Sequence, residues 1–366
     1  MDKERWYAYW LARLEGMSSR RKWELHQALG SAEAVYYIEE TRKRADQDIT
    51  DEEADLIAAG RNGEKRKEEY ARMEAQGIRM VCRADPDYPA RLRELPGMPY
   101  ALYHRGRMPE EGRRTVAVVG ARRCSPYGEK LTLEFAEALA KRGVQIVSGM
   151  ARGIDGAAHR GALNVRGDTF AVLGCGADVC YPGEHKGLYQ DLLDRGGVLS
   201  EYPPGKQPLP HHFPARNRII SALSDVVLVM EAKEKSGSLI TADMALEQGR
   251  DVYALPGPVN APLSRGCNRL IRQGAGILLD AEDLLEELQI AEKEEDGKKR
   301  EKKNKNEIML ETAENLVYSE LDLYPRGREE ILRITGLAPQ ELAGILVSLE
   351  LKGYIKELSK NYYVRR

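Results

Sequence analysis

Two turns of this chain carry the residue types that hold a phosphate. The first is Thr115-Val-Ala-Val-Val-Gly-Ala-Arg-Arg-Cys-Ser-Pro-Tyr-Gly128 and the second is Val147-Ser-Gly-Met-Ala-Arg-Gly-Ile-Asp155. Each joins an apolar, strand-like run to a glycine-rich turn that carries arginine and opens a helix. In the first, Gly120 permits close backbone approach, Arg122 and Arg123 supply charge, and Ser125 stands at the N-cap position. In the second, Gly149 and Arg152 repeat the pattern. Backbone N–H groups and helix N-termini so presented attract anions. Three further blocks add to them. Gly174-Cys-Gly through Lys186 offers Tyr181 and Lys186 after a strand; His212 through Ser221 sets Arg216, Asn217 and Arg218 at a helix start; Glu231 through Ala242 sets Ser236, Gly237, Ser238 and Thr241 at another strand-to-helix turn. One of Arg216 and Arg218 reads equally well as a buried ion-pair anchor. Tyr127, Tyr181 and Phe213 lie near enough in sequence to these turns to stack on bases, which requires unpaired faces.

Holding an anion is not the same as attacking one. The chain has no GxxxxGK[ST] loop and no GxGxxG fingerprint, because Gly174-Cys-Gly176 is followed by no glycine at the required place. No serine nucleophile elbow occurs. Asp155 and His159 are spaced i, i+4, but the better reading has Asp155 capping its helix and orienting the Arg152 loop. His211-His212 has no acidic or cysteine partner at ligand spacing. The five cysteines, Cys82, Cys124, Cys175, Cys180 and Cys267, form no CxxC pair and read as reduced core thiols. Neither a cofactor, a metal nor an enzymatic activity is expected.

The elements that position these turns alternate. Strands are expected at Val116–Val119, Gln145–Ser148, Thr169–Leu173, Val198–Glu201, Val226–Glu231, Val252–Leu255 and Ile277–Leu279, with helical stretches between several of them. The runs are continuously apolar, as strands covered on both faces should be. The helix after Ser125 carries a Leu131, Phe135, Ala138, Leu139 stripe. The fold class is therefore α/β, a doubly wound, mostly parallel Rossmann-like sheet, whose ligands bind at the carboxyl ends of the strands. Residues 1–80 read as a small helical domain with all three tryptophans, and Thr50-Asp-Glu-Glu as a capping box. Residues 81–290 hold the sheet, and 291–310 are almost wholly charged and read as a mobile linker. Residues 311–366 read as helix–turn–helix followed by a hairpin, a winged helix. Its second helix exposes Gln340, Glu341 and Glu350, which favours a protein contact or weak DNA binding over base reading.

At 366 residues, several units are expected. A net charge of −2 and a pI near 6.4 exclude a globally basic coat for nucleic acid but leave room for a local basic groove. No run approaches a membrane span, and Met1-Asp-Lys-Glu-Arg-Trp-Tyr has no apolar signal region, so the expected location is cytoplasmic.

The blocks V-V-G-A-R-R-C-S-P-Y-G, S-G-M-A-R-G-I-D-G-A-A-H, F-P-A-R-N-R-I-I-S-A-L-S, S-G-S-L-I-T-A, G-R-D-V-Y-A-L-P-G and S-R-G-C-N-R-L-I-R-Q-G-A, in this order, resemble the DprA (Smf) family of DNA-processing proteins. The resemblance runs from the helical N-terminus (SAM/helix-hairpin-helix-like) to the winged helix. It implies an extended Rossmann-like domain that binds single-stranded DNA, forms a homodimer, and helps load the RecA recombinase in natural transformation. The family's DNA-contacting arginine falls on Arg122, with Ala121 where serine is usual; the basic residue of the second turn falls on Arg152. The lysine that often follows Tyr-Pro falls on Gly183, leaving Lys186 as the neighbouring cation. The N-terminal hairpin reads Glu15-Gly-Met-Ser-Ser where Gly-Ile-Gly is common. Two other readings compete. A nucleoside-monophosphate phosphoribohydrolase would need a glutamate that Ser236-Gly-Ser-Leu-Ile-Thr-Ala-Asp lacks, and a winged-helix transcription factor would prefer one duplex sequence.

Overall fold

Strands that are apolar at every position must be covered on both faces, and β3 to β7 are buried along their whole length. The computed structural model describes residues 3–38, 49–61, 63–290, 312–322 and 324–365. The strands are β1 Arg79–Cys82, β2 Ala101–Gly106, β3 Thr115–Val119, β4 Gln145–Ser148, β5 Thr169–Val172, β6 Gly197–Ser200, β7 Val226–Val229, β8 Asp251–Ala254 and β9 Gly276–Ile277. They form one nine-stranded sheet in the order β1-β2-β6-β5-β4-β3-β7-β8-β9. From β6 to β9 every pairing is parallel; β1 and β2 join antiparallel at one edge. The chain winds outward from β3 through β4, β5 and β6, then returns to β7 on the other side of β3. The turns after β3 and β7 therefore part and leave a crevice between them, the usual ligand position in such sheets. The mostly parallel, helix-covered sheet is the fold read from the sequence.

The chain divides into two compact units, Met1–Cys124 with Gly128–Ala291, and Ser125–Tyr127 with Glu292–Arg366. In the first, the helices Lys3–Ala12, Ser19–Leu29, Ala32–Tyr36, Asp51–Ala59 and Gly63–Ala75 precede the sheet. Thr50 caps Asp51–Ala59 in a reciprocal box with Glu53. Trp6, Trp10, Leu25 and Ile57 share one core with Tyr100, Tyr103 and Ala171 of the sheet region. The Trp10 indole N–H donates to the Gly60 carbonyl at 2.8 Å, so the ring is anchored at its polar end. Strand β1 was not among the expected strands. Helix Pro126–Lys141 buries Thr132, Phe135, Ala136 and Leu139, while Leu131 and Ala138 are only half-buried. Its inward face is thus turned slightly from the expected stripe.

In the second unit, helix Arg328–Thr335 stops at Gly336, whose φ of 68° is left-handed. Helix Pro339–Leu351 follows, then the antiparallel pair β11 Ile355–Ser359 and β12 Tyr362–Arg365, with β10 Arg326–Gly327 beside β12. Val317, Ile331, Leu342, Leu346 and Ile355 make its core. This is the winged helix expected from the sequence. The expected linker, 291–310, lies outside the described residues.

One buried polar group makes the core of the first unit sensitive to acid. His159, on helix Ile154–Asn164, is wholly buried. Its Nδ1 lies 2.6 Å from the Thr169 hydroxyl, which itself donates to the Ile146 carbonyl at 3.0 Å. The imidazole must therefore donate from Nδ1, and Nε2 is left without a partner. Burial pushes its pKa down to about 3. A histidine held neutral in the fold but titrating near 6.5 when unfolded favours the unfolded state as pH falls below 6.5. The wild-type chain should lose about 2 kcal/mol from this residue between pH 7 and pH 5. Urea unfolding followed by tryptophan fluorescence checks it: His159→Gln should lose correspondingly less over the same interval, and equal losses in both proteins would contradict the assignment.

Candidate nucleic-acid interface

The crevice at the carboxyl ends of β3, β4 and β7 holds about 490 Å³. Gly120, Arg122, Asp155, Tyr181, Phe213, Arg216, Asn217, Ser236, Gly237, Ser238 and Thr241 line it, together with Lys235. All five expected blocks therefore contribute side chains to one cleft, the second through Asp155, while Gly149 and Arg152 of that second turn line an adjoining hollow with Arg122 and Arg216. Lys235 was passed over because a lysine in the run Lys233-Glu-Lys235 reads as solvated surface.

Close approach builds the cleft floor. A Cβ on Gly149 would stand 2.4 Å from the Arg216 guanidinium, and one on Gly153, at φ 70°, would stand 2.3 Å from the Ala121 carbonyl oxygen. Only glycine fits either place. Arg216 is buried. Its Nη1 donates to the Gly149 carbonyl at 2.9 Å and to the Val172 carbonyl, and its Nε donates to Asn217 Oδ1 at 3.2 Å. Burial pushes this guanidinium below its usual pKa, opposed by nearby Asp155. Arg216 therefore ties the ends of β4 and β5 together under the site, and one edge of it still lines the cleft. The alternative of a buried anchor is realised here through carbonyls. Arg218 points elsewhere: it ion-pairs with Glu201 and donates to Gly97 O at 3.1 Å, and it does not line the cleft.

The exposed cations differ in how committed they are. The Arg122 guanidinium lies 5.3 Å from the centre of the Phe213 ring, within cation–π range. Among the described residues no carboxylate pairs with it. Tyr181, itself exposed, packs 5.4 Å from Phe213 with its ring tilted by 34°, so Arg122, Phe213 and Tyr181 form a continuous patch. Arg152, by contrast, is held by Glu184 through two bonds of 2.5 and 2.7 Å, which raises the guanidinium pKa and lowers that of Glu184. Arg123 and Lys186 are exposed and line neither hollow. Lys186 begins helix Lys186–Arg195. Ser125 precedes helix Pro126–Lys141, and Tyr127 in its first turn does not line the cleft. Ser236 caps helix Gly237–Glu247, accepting from Ser238 N and lying 2.8 Å from the Ser238 hydroxyl. Asn217 Nδ2 reaches the Gly237 carbonyl at 3.4 Å, tying two walls of the cleft.

The lining offers no acid–base pair. Asp155 is its one carboxylate. It accepts from Gly149 N at 3.2 Å and Ala151 N at 3.4 Å, so it shapes the turn that carries Arg152, while burial pushes its pKa up against the pull of Arg216. His159 is committed to Thr169. His212 stacks on Tyr202 at 3.9 Å and meets the Gly174 carbonyl at 3.0 Å. Burial lifts Cys124 to about 11 and Cys175 to about 12, so both remain thiols at neutral pH. Among the described residues no His, Cys, Asp or Glu cluster could hold a metal ion, and no helix is long and apolar enough to cross a membrane.

Known proteins match this architecture in both units. The family model described as DNA recombination-mediator protein A matches residues 79–289, and that of the DprA winged helix domain matches 301–360. Protein Smf of Escherichia coli is 50% identical over 203 residues, 55% of this chain and 54% of that protein; the chain thus spans about half the length of this curated relative. The crystal structure of DNA processing protein A (DprA) from Streptococcus pneumoniae aligns with a TM-score of 0.61 at 37% identity, covering 77% of this chain and 97% of that one. DNA processing protein A from Helicobacter pylori, solved for its single-stranded DNA binding mode, aligns at 0.52 with 32% identity over 58% and 95%. With all nine strands of the large sheet inside one match and the winged helix matched by the other, the chain belongs to the DprA (Smf) family of DNA-processing, recombination-mediator proteins.

Proposed function

We propose that the chain binds single-stranded DNA in the switch-point cleft, in the cytoplasm and without chemistry on the strand, and presents it to the RecA recombinase. The observation that carries this reading is the Arg122–Phe213–Tyr181 patch: an unpaired cation continuous with two rings at the mouth of an anion-holding cleft. Phosphates supply affinity for charge, and ring faces accept only bases that are not paired. A duplex offers the first and withholds the second. The recombination-mediator family model and the relative solved for single-stranded DNA binding point the same way. A lone carboxylate committed to backbone N–H groups argues for holding a strand over cutting it or cleaving a nucleotide. A homodimer is part of the proposal, supported by exposed Leu246, Ile277 and Leu279 around β8 and the edge strand β9.

Two measurements test it. Fluorescence anisotropy should give a single-stranded oligonucleotide tighter binding than a blunt duplex of equal length, and equal affinities would overturn the proposal. Arg122→Ala should weaken binding and flatten the salt dependence by roughly 0.7 log units per decade of salt, the slope for one single-strand phosphate contact. Glu184→Gln should act in the opposite sense. Freed from its carboxylate, Arg152 becomes available to phosphate, so affinity should rise and the slope steepen by a similar ~0.7. An unchanged slope in Glu184→Gln would exclude Arg152 from the DNA path.

A further inference from the structure

Helix Pro339–Leu351 of the winged helix has the place of a recognition helix, yet its outer face offers base reading one side chain, Gln340, and no cation. Leu342, Leu346 and Leu349 point into the core. At 100° per residue, Gln340, Gly344, Val347 and Leu351 fall in one stripe directly opposite, and all four are exposed. Val347 is 58% exposed and Leu351 84%. Glu341 flanks the stripe on one side and Glu350 on the other. The helix carries no Lys or Arg, and Lys352 just beyond it is tied to Glu314 at 2.6 and 2.7 Å. Among the described residues of this unit, the other exposed cations, Arg333, Lys356 and Lys360, lie on the preceding helix and the hairpin. Major-groove readers use Arg, Lys, Asn or Gln, and phosphates repel carboxylates.

Gly344 sharpens the point. A Cβ there would meet nothing within 4 Å, so the fold does not require glycine, and helix propensity would favour almost any other residue. Its effect is to leave the middle of the stripe flat, where another backbone can approach closely.

We propose that this face docks an amphipathic helix of a partner protein, one with apolar anchors at i, i+3/i+4, i+7 spacing and Lys or Arg along both margins. Apolar Val347 and Leu351 take the anchors, Gly344 admits the partner's backbone, and Glu341 and Glu350 select the positive margins. A second copy of the same helix is the wrong occupant. Paired antiparallel, one margin carries Glu341 of both copies and the other Glu350 of both; paired parallel, each margin carries Glu341 of one copy and Glu350 of the other. Like charges oppose in both cases.

The test uses the full chain and two labelled 16-residue helical peptides with identical leucine anchors, one flanked by lysine and the other by glutamate. Anisotropy should show saturable binding of the lysine peptide, at least tenfold tighter than the glutamate peptide. Gly344→Gln should weaken it at least tenfold without lowering the melting temperature, since the added side chain points into open space. Glu341→Lys with Glu350→Lys should reverse the preference between peptides. Equal binding of the two peptides, absence of saturable binding, or indifference to Gly344→Gln overturns the proposal. So does displacement of the peptide by a short duplex, which assigns the face to DNA, or self-association abolished by Val347→Glu, which assigns it to a second copy.

Discussion

The cleft depends on one buried guanidinium. Arg216 enters the sheet from helix His212–Leu223 and holds the carbonyls at the ends of β4 and β5. Removing a charge from water is expensive unless its hydrogen bonds are replaced, and here strand-end carbonyls replace them, with Asp155 in electrostatic reach. Several features follow as necessities. Gly149 must lack a side chain because the guanidinium occupies its place. Asp155 must sit where it can bind the Gly149 and Ala151 amides and still offset Arg216. The second arginine turn is thereby fixed against the first.

That arrangement separates construction from recognition. Arg216 builds the floor, Arg218 braces the neighbouring loop through Glu201, and Arg122 is left uncommitted at the mouth on the Phe213 ring. Arg152 stands between these states, exposed but paired with Glu184. A chain with net charge −2 can thus present a locally positive cleft, because field at a site depends on nearby charges within about a Debye length. The winged helix shows the opposite arrangement, with an outer helix face that is apolar and acid-flanked.

Much of this was legible in the sequence because backbone demands leave marks. Uninterrupted apolar runs declared β3 to β7 as covered strands, and glycines beside arginines declared the turns at their ends. Gly336 at the end of one helix and Pro339 at the start of the next marked the winged helix in the same way. What the sequence withheld was commitment. Arg122, Arg152, Arg216 and Arg218 look alike in one dimension; only packing assigns a ring, a carboxylate, two carbonyls and a distant glutamate to them. Lys235 was missed because its neighbours are charged. The inward turn of helix Pro126–Lys141 onto Thr132 was hidden because the Thr132 hydroxyl finds a partner in the Gly128 carbonyl at 2.6 Å, which makes a polar residue acceptable in the core.

If the chain holds single strands as proposed, unpaired bases lie on the Phe213–Tyr181 patch. The most direct measurement is photo-crosslinking of the full chain to a single strand carrying 5-bromouracil, with the modified peptides identified by mass spectrometry. Crosslinks should fall on the segments containing Tyr181 and Phe213 and be suppressed by an excess of unmodified single strand. Crosslinks confined to the winged helix or to the N-terminal helices, with neither residue modified, would contradict the proposal.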